Sequence, residues 1–308
     1  MRIGIIGAGM AGLSCATALV EAGHDVVLFD KGRGPGGRMS TRRLTTGLGE
    51  VGFDHGAQYL TARDPAFVAQ VERWSEDGHV ARWLAAGDDA WVGTPAMNAP
   101  IRDMASRLEV RWHQRVDTLT HSTDGWSFHG DGMDIAQFDG AVIAVPAEQV
   151  VSLIEAHRPD WAEKARATPS DPCWTVMAAF AVRLAVEHDR LTDKGLIASA
   201  VRNSAKPGRA DIEAWVLQAT GDWAAAHIED SPDVVKQAMF AAFAACVEGD
   251  LPPLLTTSVH RWRYAKSGKL GQDALWDGTH HLGICGDWLL GGRIEAAWLS
   301  GMRLAQAV

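Results

Sequence analysis

The sequence predicts an α/β fold of two domains: a nucleotide-binding domain of alternating strands and helices, and a second, α+β domain on a mixed or antiparallel sheet. The first observation is a strand–turn–helix–strand unit in residues 2–30. The second is a block of strand-like runs between residues 173 and 262. The third is size: 308 residues, 47% of them hydrophobic and 22% charged, bury a sizeable core and exclude a disordered or collagen-like chain.

The opening unit is predicted from apolar periodicity. Residues 2–6 and 25–29 are short apolar runs typical of buried strands, and residues 10–22 carry apolar side chains at helical spacing. Gly23 ends the helix as a C-terminal cap would. Residues 31–49, rich in glycine and arginine, are predicted to form a loop.

Periodicity and chain breakers predict the remaining elements. A helix at 65–76 begins near Pro65, and a helix from Ser231 to about residue 247 has Ser as its N-cap and Pro at its first position. The other predicted elements are a hairpin of 115–121 with 126–129, a strand at 138–145, helical residues 147–167 interrupted at Pro159, strands at 174–183, 196–202, 213–219, 256–262 and 281–285, and a closing helix at 293–307.

These elements predict a discontinuous division of the chain. The nucleotide-binding domain takes residues 1–64, 96–150 and 265–308, and the substrate domain takes residues 65–95 and 151–264. The antiparallel pattern of the second domain differs from the parallel pattern of the opening unit.

Charge and cysteine usage exclude several protein classes. The formal net charge is −9, from 29 basic and 38 acidic residues, which argues against a nucleic-acid binder. Cys15, Cys173, Cys246 and Cys285 form no CxxC pair, so neither a disulfide framework nor a metal site is predicted. A reducing, cytoplasmic location is therefore expected.

Membrane insertion is not expected either. No apolar run approaches the roughly 18 residues of a membrane span, and glycines interrupt the first apolar stretch too early for a signal peptide. No obligatory protein partner is evident from the sequence.

The opening turn carries the strongest functional motif. Gly7, Gly9 and Gly12 form GxGxxG between a strand and a helix, and Asp30 ends the next strand. Gly7 allows the tight turn, Gly9 lets a pyrophosphate approach the main chain, and Gly12 lets helix and strand pack closely. The helix N-terminus offers free N–H groups to the phosphates, and Asp30 accepts hydrogen bonds from a ribose without a 2′-phosphate. The motif predicts a dinucleotide-binding fold of Rossmann type.

Two further segments favour FAD over NAD. Residues 36–40 resemble the glycine-doublet extension of the FAD fingerprint in amine-oxidase-like flavoproteins, and Arg38 would clamp the pyrophosphate as a bidentate guanidinium. Near the end, Asp287 follows a predicted strand where such flavoproteins contact the ribityl chain. Ile294 lies at the start of the closing helix, whose N–H groups would face the flavin and stabilise its reduced form.

Together these segments resemble the renalases, especially bacterial members, within the amine-oxidase-like flavoproteins. The likeness covers nearly the whole chain and is most specific in Gly56-Ala-Gln-Tyr59 and in the Arg-Trp-Arg-Tyr run that ends at Tyr264. The segments that carry it are residues 7–13, 30–31, 36–39, 54–63, 91–97, 202–209, 260–265, 285–288 and 292–301.

The resemblance implies both fold and activity. It implies an FAD-binding Rossmann-type domain of the amine-oxidase/hydroxylase kind, a substrate domain, and non-covalent FAD. It also implies oxidation of the 2- and 6-dihydro isomers of NAD(P)H to NAD(P)⁺, with O₂ reoxidising the flavin to give H₂O₂. The substrates would thus be a small dinucleotide and O₂.

The resemblance and the motifs also imply site residues. Besides the three motif glycines, the cofactor-binding residues would be Ala11, Asp30, Lys31, Arg38, Gln58, Tyr59, Val116, Asp287 and Ile294. The residues beside the substrate would be Thr61, Ala62 and Arg63. Candidate walls for a flat ring are Tyr59, Trp262, Tyr264 and Trp288, with plain core packing an equal alternative for Trp262.

No catalytic residue is assigned, because a dihydropyridine gives hydride to a flavin without an obligatory base. His55 and His260 are interpreted as histidines held by local hydrogen bonds. The basic residues of the glycine-rich segment could meet phosphates of cofactor or substrate, or lie on a solvated loop; they are Lys31, Arg33, Arg38, Arg42 and Arg43. Asn203, Lys206 and Arg209 could contact the substrate, but a polar surface turn around Pro207-Gly208 is the prediction.

Two other functions remain open. A flavin amine oxidase or related dehydrogenase of a small molecule could use the same scaffold. An FAD-bound module without catalytic activity would also carry the opening motif.

Overall fold

The computed structural model describes residues 1–132 and 136–308. These residues form two compact units. Unit 1 comprises Met1–Gly37, Ile101–Ser170 and Ser267–Val308, and unit 2 comprises Arg38–Pro100 and Asp171–Lys266. The predicted domain bounds differ at residues 38–64, 96–100 and 265–266, which lie in unit 2, and at residues 151–170, which lie in unit 1.

Strands and helices are labelled in chain order. The strands are β1 Arg2–Ile6, β2 Asp25–Asp30, β3 Thr41–Thr46, β4 Gly49–Asp54, β5 Leu60–Thr61, β6 Val80–Arg82, β7 Ala90–Gly93, β8 Glu109–Trp112, β9 Thr118–Ser122, β10 Gly125–His129, β11 Ala136–Phe138, β12 Gly140–Ile143, β13 Asp171–Phe180, β14 Arg190–Lys194, β15 Ile197–Arg202, β16 Ala214–Ala219, β17 Leu254–Lys266, β18 Leu275–Asp277 and β19 Leu282–Ile284. The helices are α1 Met10–Glu21, α2 Pro65–Glu76, α3 Ala99–Ser106, α4 Ala147–Ile154, α5 Pro159–Arg166, α6 Gly221–Ala226, α7 Pro232–Ala244, α8 Asp287–Leu290 and α9 Ile294–Ala307.

Unit 1 contains a six-stranded sheet in the order β18-β19-β12-β1-β2-β8. All pairings are parallel except β18 with β19. Parallel strands end at the same edge of the sheet, so the segments that follow β1, β2, β12 and β19 meet there. This is the edge at which doubly wound sheets bind their ligands.

Unit 2 is built on an antiparallel five-stranded sheet in the order β14-β15-β16-β13-β17. One face buries Trp215 and Val176 against α7, which contributes Met239 and Phe243. The opposite face is partly covered by the hairpin of β3 and β4, whose Phe53 belongs to a core cluster with strand residues of this sheet. Because that hairpin packs on this sheet, residues 41–54 belong to unit 2.

The structure corrects three sequence predictions about local elements. Segment 31–49 contains strand β3 rather than only a loop, because residues 41–46 pair with β4 and Leu44 packs against the core cluster of Phe53. Strand β14 was missed, since its Arg-Leu-Thr-Asp-Lys sequence lacks an apolar run. Predicted strand 138–145 is two strands that break at Asp139 and belong to different sheets.

Helix α2 has the predicted bounds, and Ser231 caps α7 by accepting a hydrogen bond from the N–H of Val234. The predicted α/β fold, with a parallel nucleotide-binding sheet and an antiparallel second sheet, is confirmed. No helix in the described part of the chain is both long and apolar enough to cross a membrane.

Candidate cofactor and substrate sites

The glycine turn of unit 1 leaves space at its centre. Gly7 has φ +103° and donates its N–H to the carbonyl of Phe29. A Cβ on Gly12 would lie 2.0 Å from the Gly7 carbonyl oxygen, which explains the close approach of α1 to the turn. A Cβ on Gly9, in contrast, would meet nothing within 4 Å. Gly9 is the N-cap of α1 and has no side chain to cap the helix, so the first N–H groups, including that of Ala11, are left for a bound phosphate.

Asp30 lies at the end of β2 beside this turn. One carboxylate oxygen accepts the N–H of Ala8 at 2.8 Å, and the other accepts the N–H of Gly32 at 2.7 Å. Each oxygen keeps a second lone pair, so the carboxylate can fix the turn and still accept from a ribose hydroxyl. The geometry fits the adenosine end of FAD.

Other predicted cofactor residues of unit 1 lie around the same sheet edge. Lys31 follows Asp30 and donates to the side-chain oxygen of Gln149 at 3.0 Å. Partial burial and the nearby Arg115 lower the pKa of Lys31. Val116 is 7% exposed and belongs to the core of unit 1.

The C-terminal segment of unit 1 lies close to the opening helix. A Cβ on Gly301 in α9 would lie 2.1 Å from the hydroxyl of Ser14 in α1. Asp287 begins α8, and Ile294 is the first residue of α9. The strand order and the contact of α9 with α1 therefore bring both residues to the edge that carries the glycine turn.

Trp288 does not have the accessible surface that a substrate wall requires. Its side chain is fully buried in the core of unit 1, in a cluster with Phe29, Ile143 and Leu289. The prediction that Trp288 lines the substrate site is wrong, because its side chain packs into the core of unit 1.

In unit 2, Asp54 lies at the centre of a buried ionic cluster. Its Oδ2 lies 3.1 Å from Lys206 Nζ and 2.7 Å from Arg209 Nη2. Its Oδ1 accepts the N–H of Met97 at 3.0 Å and the hydroxyl of Thr41 at 2.7 Å. Burial opposes ionisation of Asp54, but the two cations outweigh it and hold the carboxyl pKa well below its usual value. Burial lowers the pKa of Lys206 to about 8, against the attraction of Asp54.

This cluster contradicts the predicted surface turn. Asn203 and Lys206 are 1% and 2% exposed, and the Arg209 side chain is 4% exposed. Asn203 also donates to the Gly52 carbonyl at 2.8 Å. Polar residues around a Pro-Gly pair resemble a solvated turn in sequence, and the distant Asp54 that neutralises them could not be identified from the local pattern.

Gln58 is held by the same cluster. Its amide oxygen accepts from Lys206 at 3.1 Å, and its amide nitrogen donates to the carbonyls of Asp54 and Gly56 at 2.5 and 3.0 Å. Both amide protons are therefore used within unit 2, so the side chain fixes the 55–59 loop. The direct contact of Gln58 with FAD remains a prediction.

The aromatic ring of Tyr59 lies close to another ring and to a cation. Its centroid is 6.2 Å from that of Trp83, and the guanidinium carbon of Arg190 is 5.4 Å from the Tyr59 centroid. Lys206 Nζ lies 5.6 Å from the Trp83 ring. The cation near Tyr59 is thus Arg190, whereas the cation near the buried Trp83 is Lys206, which is paired with Asp54.

A row of polar side chains crosses the five-stranded sheet beside this loop. Cross-strand register places Thr192 opposite Ser199, Ser199 opposite Gln218, Gln218 opposite Thr175, and Thr175 opposite His260. Residues directly opposite share a face, so all five project from one face. Gln218 donates to the Gly56 carbonyl at 2.8 Å, which places the 55–59 loop against this face. Sequence reasoning missed the row, because register is needed to align five separate strands.

His55, His260 and Trp262 form a compact aromatic group. The rings of His55 and Trp262 stack at 5.1 Å, and His260 meets both rings edge-on, at 4.9 and 4.4 Å. Trp262 donates to the His55 carbonyl, and Arg42 donates to Nδ1 of His260 at 3.1 Å. Arginine cannot accept a hydrogen bond, so His260 carries its proton on Nε2.

Both imidazoles are neutral at ordinary pH. Burial, followed by the neighbouring His260 and Arg42, lowers the pKa of His55 to about 4. Burial and Arg42 also lower the pKa of His260 to about 4. This agrees with the interpretation of both histidines as residues fixed by local contacts.

The remaining predicted substrate residues are less enclosed. Thr61 pairs with Ala90 in the small sheet of β5, β7 and β6, and Ala62 is half-buried beside it. Arg63 is exposed and forms an ion pair with Asp89 at 3.3 Å. Tyr264 is half-buried on β17.

The predicted basic cluster is divided between the two units. Lys31 and Arg33 belong to unit 1, while Arg38, Arg42 and Arg43 belong to unit 2. The carbonyl of Arg38 accepts the N–H of Ala57, so its backbone anchors the 55–59 loop. Arg42 bonds to Ser258 and His260, and Arg43 forms an exposed ion pair with Glu50. Within residues 1–132 and 136–308, no group of His, Cys, Asp or Glu is arranged to hold a metal ion.

Known proteins show the same architecture. A protein of Exiguobacterium sp. 255-15 assigned as a protoporphyrinogen oxidase superposes with a TM-score of 0.78 over 99% of this chain and 98% of its own, at 11% identity. Cyclohexylamine oxidase from Brevibacterium oxydans IH-35A gives 0.73 over 99% and 98%, at 13% identity. At these identities the likeness shows the fold alone.

Sequence comparison shows the family. The bifunctional MnmC protein of tRNA 5-methylaminomethyl-2-thiouridine biosynthesis from Magnetococcus marinus is 28% identical in a 211-residue alignment that covers 52% of this chain and 32% of that protein. The chain thus matches about a third of that relative's length. Residues 5–73 match the model of an NAD(P)-binding Rossmann-like domain, and residues 78–308 match that of flavin-containing amine oxidoreductases. Because the second match covers well over half of the chain, the protein belongs to the flavin-containing amine oxidoreductase family, and the predicted FAD cofactor is confirmed by that membership.

Proposed function

We propose that this flavoprotein is a renalase-like oxidase that takes hydride from the 2- and 6-dihydro isomers of NAD(P)H. The observation that carries the proposal is the half-buried ring of Tyr59, which has the guanidinium carbon of Arg190 5.4 Å from its centroid. A cation-flanked aromatic wall suits a planar donor that carries negative phosphates. It disfavours the ammonium group of an ordinary amine, since like charges repel.

The residues of unit 1 fit non-covalent FAD. The space at Gly9, the free N–H groups of α1 and the remaining lone pairs of Asp30 would hold the pyrophosphate and ribose. When bound, FAD supplies a hydride acceptor at N5 of its ring. The protein must then orient the donor and exclude water.

The state of the histidines supports a reaction without a protein base. His55 is buried and His260 half-buried, and both are already neutral, yet a pKa of about 4 makes each a weak base near neutral pH. A dihydropyridine becomes aromatic when it loses hydride, so no proton has to be removed from its ring carbon. We therefore assign positioning, rather than proton transfer, to the side chains of unit 2.

The electron acceptor that completes the cycle is proposed to be O₂, with H₂O₂ as product. A cytoplasmic location and the absence of an obligatory protein partner also remain predictions.

The second candidate function is oxidation of a small amine, because the family model that matches residues 78–308 is that of amine oxidoreductases.

The proposal is tested by supplying each dihydro isomer to the FAD-loaded protein in air. We expect equal molar consumption of O₂ and donor, with NAD(P)⁺ and H₂O₂ as products. A panel of primary amines, including putrescine and cyclohexylamine, is the matched comparison. Turnover of an amine with no turnover of either isomer would contradict the proposal and support the second candidate.

A further inference from the structure

The side chain of Arg190 projects from the face of the five-stranded sheet that carries the 55–59 loop. Arg190 lies opposite Val201, which lies opposite Val216. Val216 belongs to the same core cluster as Phe53 of the β3–β4 hairpin. Directly opposite residues share a face, so Arg190 projects from the side of the sheet that the hairpin covers. Thr192, the first residue of the polar row, lies two residues further along β14 and projects from the same side.

The charge of Arg190 has no counter-ion among the residues that the structure describes. No carboxylate of the described residues forms an ion pair with its guanidinium, although Arg190 is half-buried. The adjacent Asp189 is bound by Arg202 and approached by Arg183. Nε of Arg190 is shielded from solvent and has no hydrogen-bond partner within residues 1–132 and 136–308.

A partly buried, unpaired guanidinium is unusual because its desolvation is uncompensated. The Tyr59 ring at 5.4 Å offers only partial compensation through a cation–π contact. The buried ionic cluster of Asp54 does not neutralise Arg190, because that carboxylate is already shared by Lys206 and Arg209. An anion from outside the chain would complete this site.

We propose that Arg190 is a specificity-determining residue that binds a phosphate group of the dinucleotide substrate, with Tyr59 orienting its guanidinium. The inference rests on the function proposed above and extends it, because it explains how the enzyme selects a phosphate-bearing donor. A guanidinium binds phosphate oxygens through two parallel hydrogen bonds, which a lysine at the same position could not reproduce. FAD itself also carries phosphates, so the test separates the two sources.

The experiment compares the FAD-loaded wild type with Arg190→Ala and Arg190→Lys. The control is Arg183→Ala, which removes an arginine whose side chain is 70% exposed on the same part of unit 2. Anaerobic flavin reduction is measured with 6-dihydroNAD and with 1-benzyl-1,6-dihydronicotinamide, a neutral donor without phosphate. We expect Arg190→Ala to raise the Kd of 6-dihydroNAD about tenfold or more, with the limiting rate within about twofold. The Kd of the neutral donor should be the same in Arg190→Ala as in the wild type, and Arg183→Ala should bind 6-dihydroNAD as the wild type does. Arg190→Lys should recover part of the lost affinity for 6-dihydroNAD.

A second measurement does not depend on the reaction. Calorimetric titration with NAD⁺ reports binding of the dinucleotide without hydride transfer, and wild-type affinity should fall with salt while that of Arg190→Ala changes less. If no dihydronicotinamide reduces the flavin but NAD⁺ binding requires Arg190, the proposed function fails and the Arg190 assignment stands. Equal Kd values for wild type and Arg190→Ala overturn the assignment. Loss of FAD rather than of NAD⁺ affinity also overturns it, since the phosphate would then belong to the cofactor.

Discussion

Lys206 and Asp54 form an ion pair, with Nζ and Oδ2 3.1 Å apart, in which neither side chain has any exposed surface. The same carboxylate also binds Arg209, so one negative charge holds two loops of unit 2 together. Gln58 extends this arrangement to the 55–59 loop through its bond to Lys206. The ionic cluster is thus the support on which Tyr59 depends for its position.

Removing the charge of Asp54 should destabilise the protein strongly. Asp54→Asn leaves two buried cations without a counter-ion, which costs roughly 3–5 kcal/mol of unfolding free energy. Urea unfolding of the FAD-loaded protein measures this. Glu50→Gln, which breaks the exposed pair with Arg43, is the control and should cost less than about 1 kcal/mol. Equal losses in the two variants would show that the Asp54 cluster does not have the stabilising role assigned to it.

Acid should lower the stability of the protein partly through His55 and His260. Their pKa values of about 4 in the folded protein lie below the unfolded value of about 6.5. The unfolded chain therefore binds protons first, so this stability is complete above pH 6.5 and is lost as the pH falls toward 4. Unfolding free energies at pH 7 and pH 5 should differ less in His260→Gln than in the wild type. His188→Gln, at an exposed position, should behave like the wild type, and an unchanged pH dependence in His260→Gln would refute the assignment.

Two alanine substitutions in the glycine turn should have different effects. A Cβ at Gly9 meets no protein atom within 4 Å, so Gly9→Ala should fold normally but occupy space needed by the pyrophosphate. A Cβ at Gly12 would lie 2.0 Å from the Gly7 carbonyl oxygen, so Gly12→Ala should unfold at lower temperature even without cofactor. Thermal unfolding of the apoprotein and FAD titration separate the two effects. Normal FAD affinity in Gly9→Ala would mean that phosphate does not approach there.

Asp30 should contribute to FAD affinity through its remaining lone pairs. Asp30→Ala is expected to cost on the order of 1–3 kcal/mol of FAD binding, because it removes the ribose acceptor and loosens the turn at Ala8. Asp30→Asn keeps one acceptor oxygen and should lose less. Fluorescence titration of the apoproteins with FAD measures both. Unchanged affinity in Asp30→Ala would exclude the ribose contact.

Local sequence patterns were sufficient to predict the glycine turn and the acidic end of β2 in unit 1. They were insufficient to predict the candidate site in unit 2. The turn around Gly7 and the acidic end of β2 belong to one continuous segment, whose periodicity and spacing determine its geometry. The burial of Lys206 depends on Asp54, 152 positions away, and on a charge balance that no local pattern expresses. The position of Arg190 similarly depends on the register of β14, which has no apolar run to indicate a strand.

Anaerobic mixing of the FAD-loaded protein with 2- or 6-dihydroNAD(P) tests the central claim most directly. Oxidised flavin absorbs at about 450 nm, and hydride transfer to the flavin removes this absorption band. We predict that at least one isomer bleaches the band within seconds and leaves NAD(P)⁺, while cyclohexylamine and putrescine leave it unchanged. A flavin band that persists with both isomers would contradict the account.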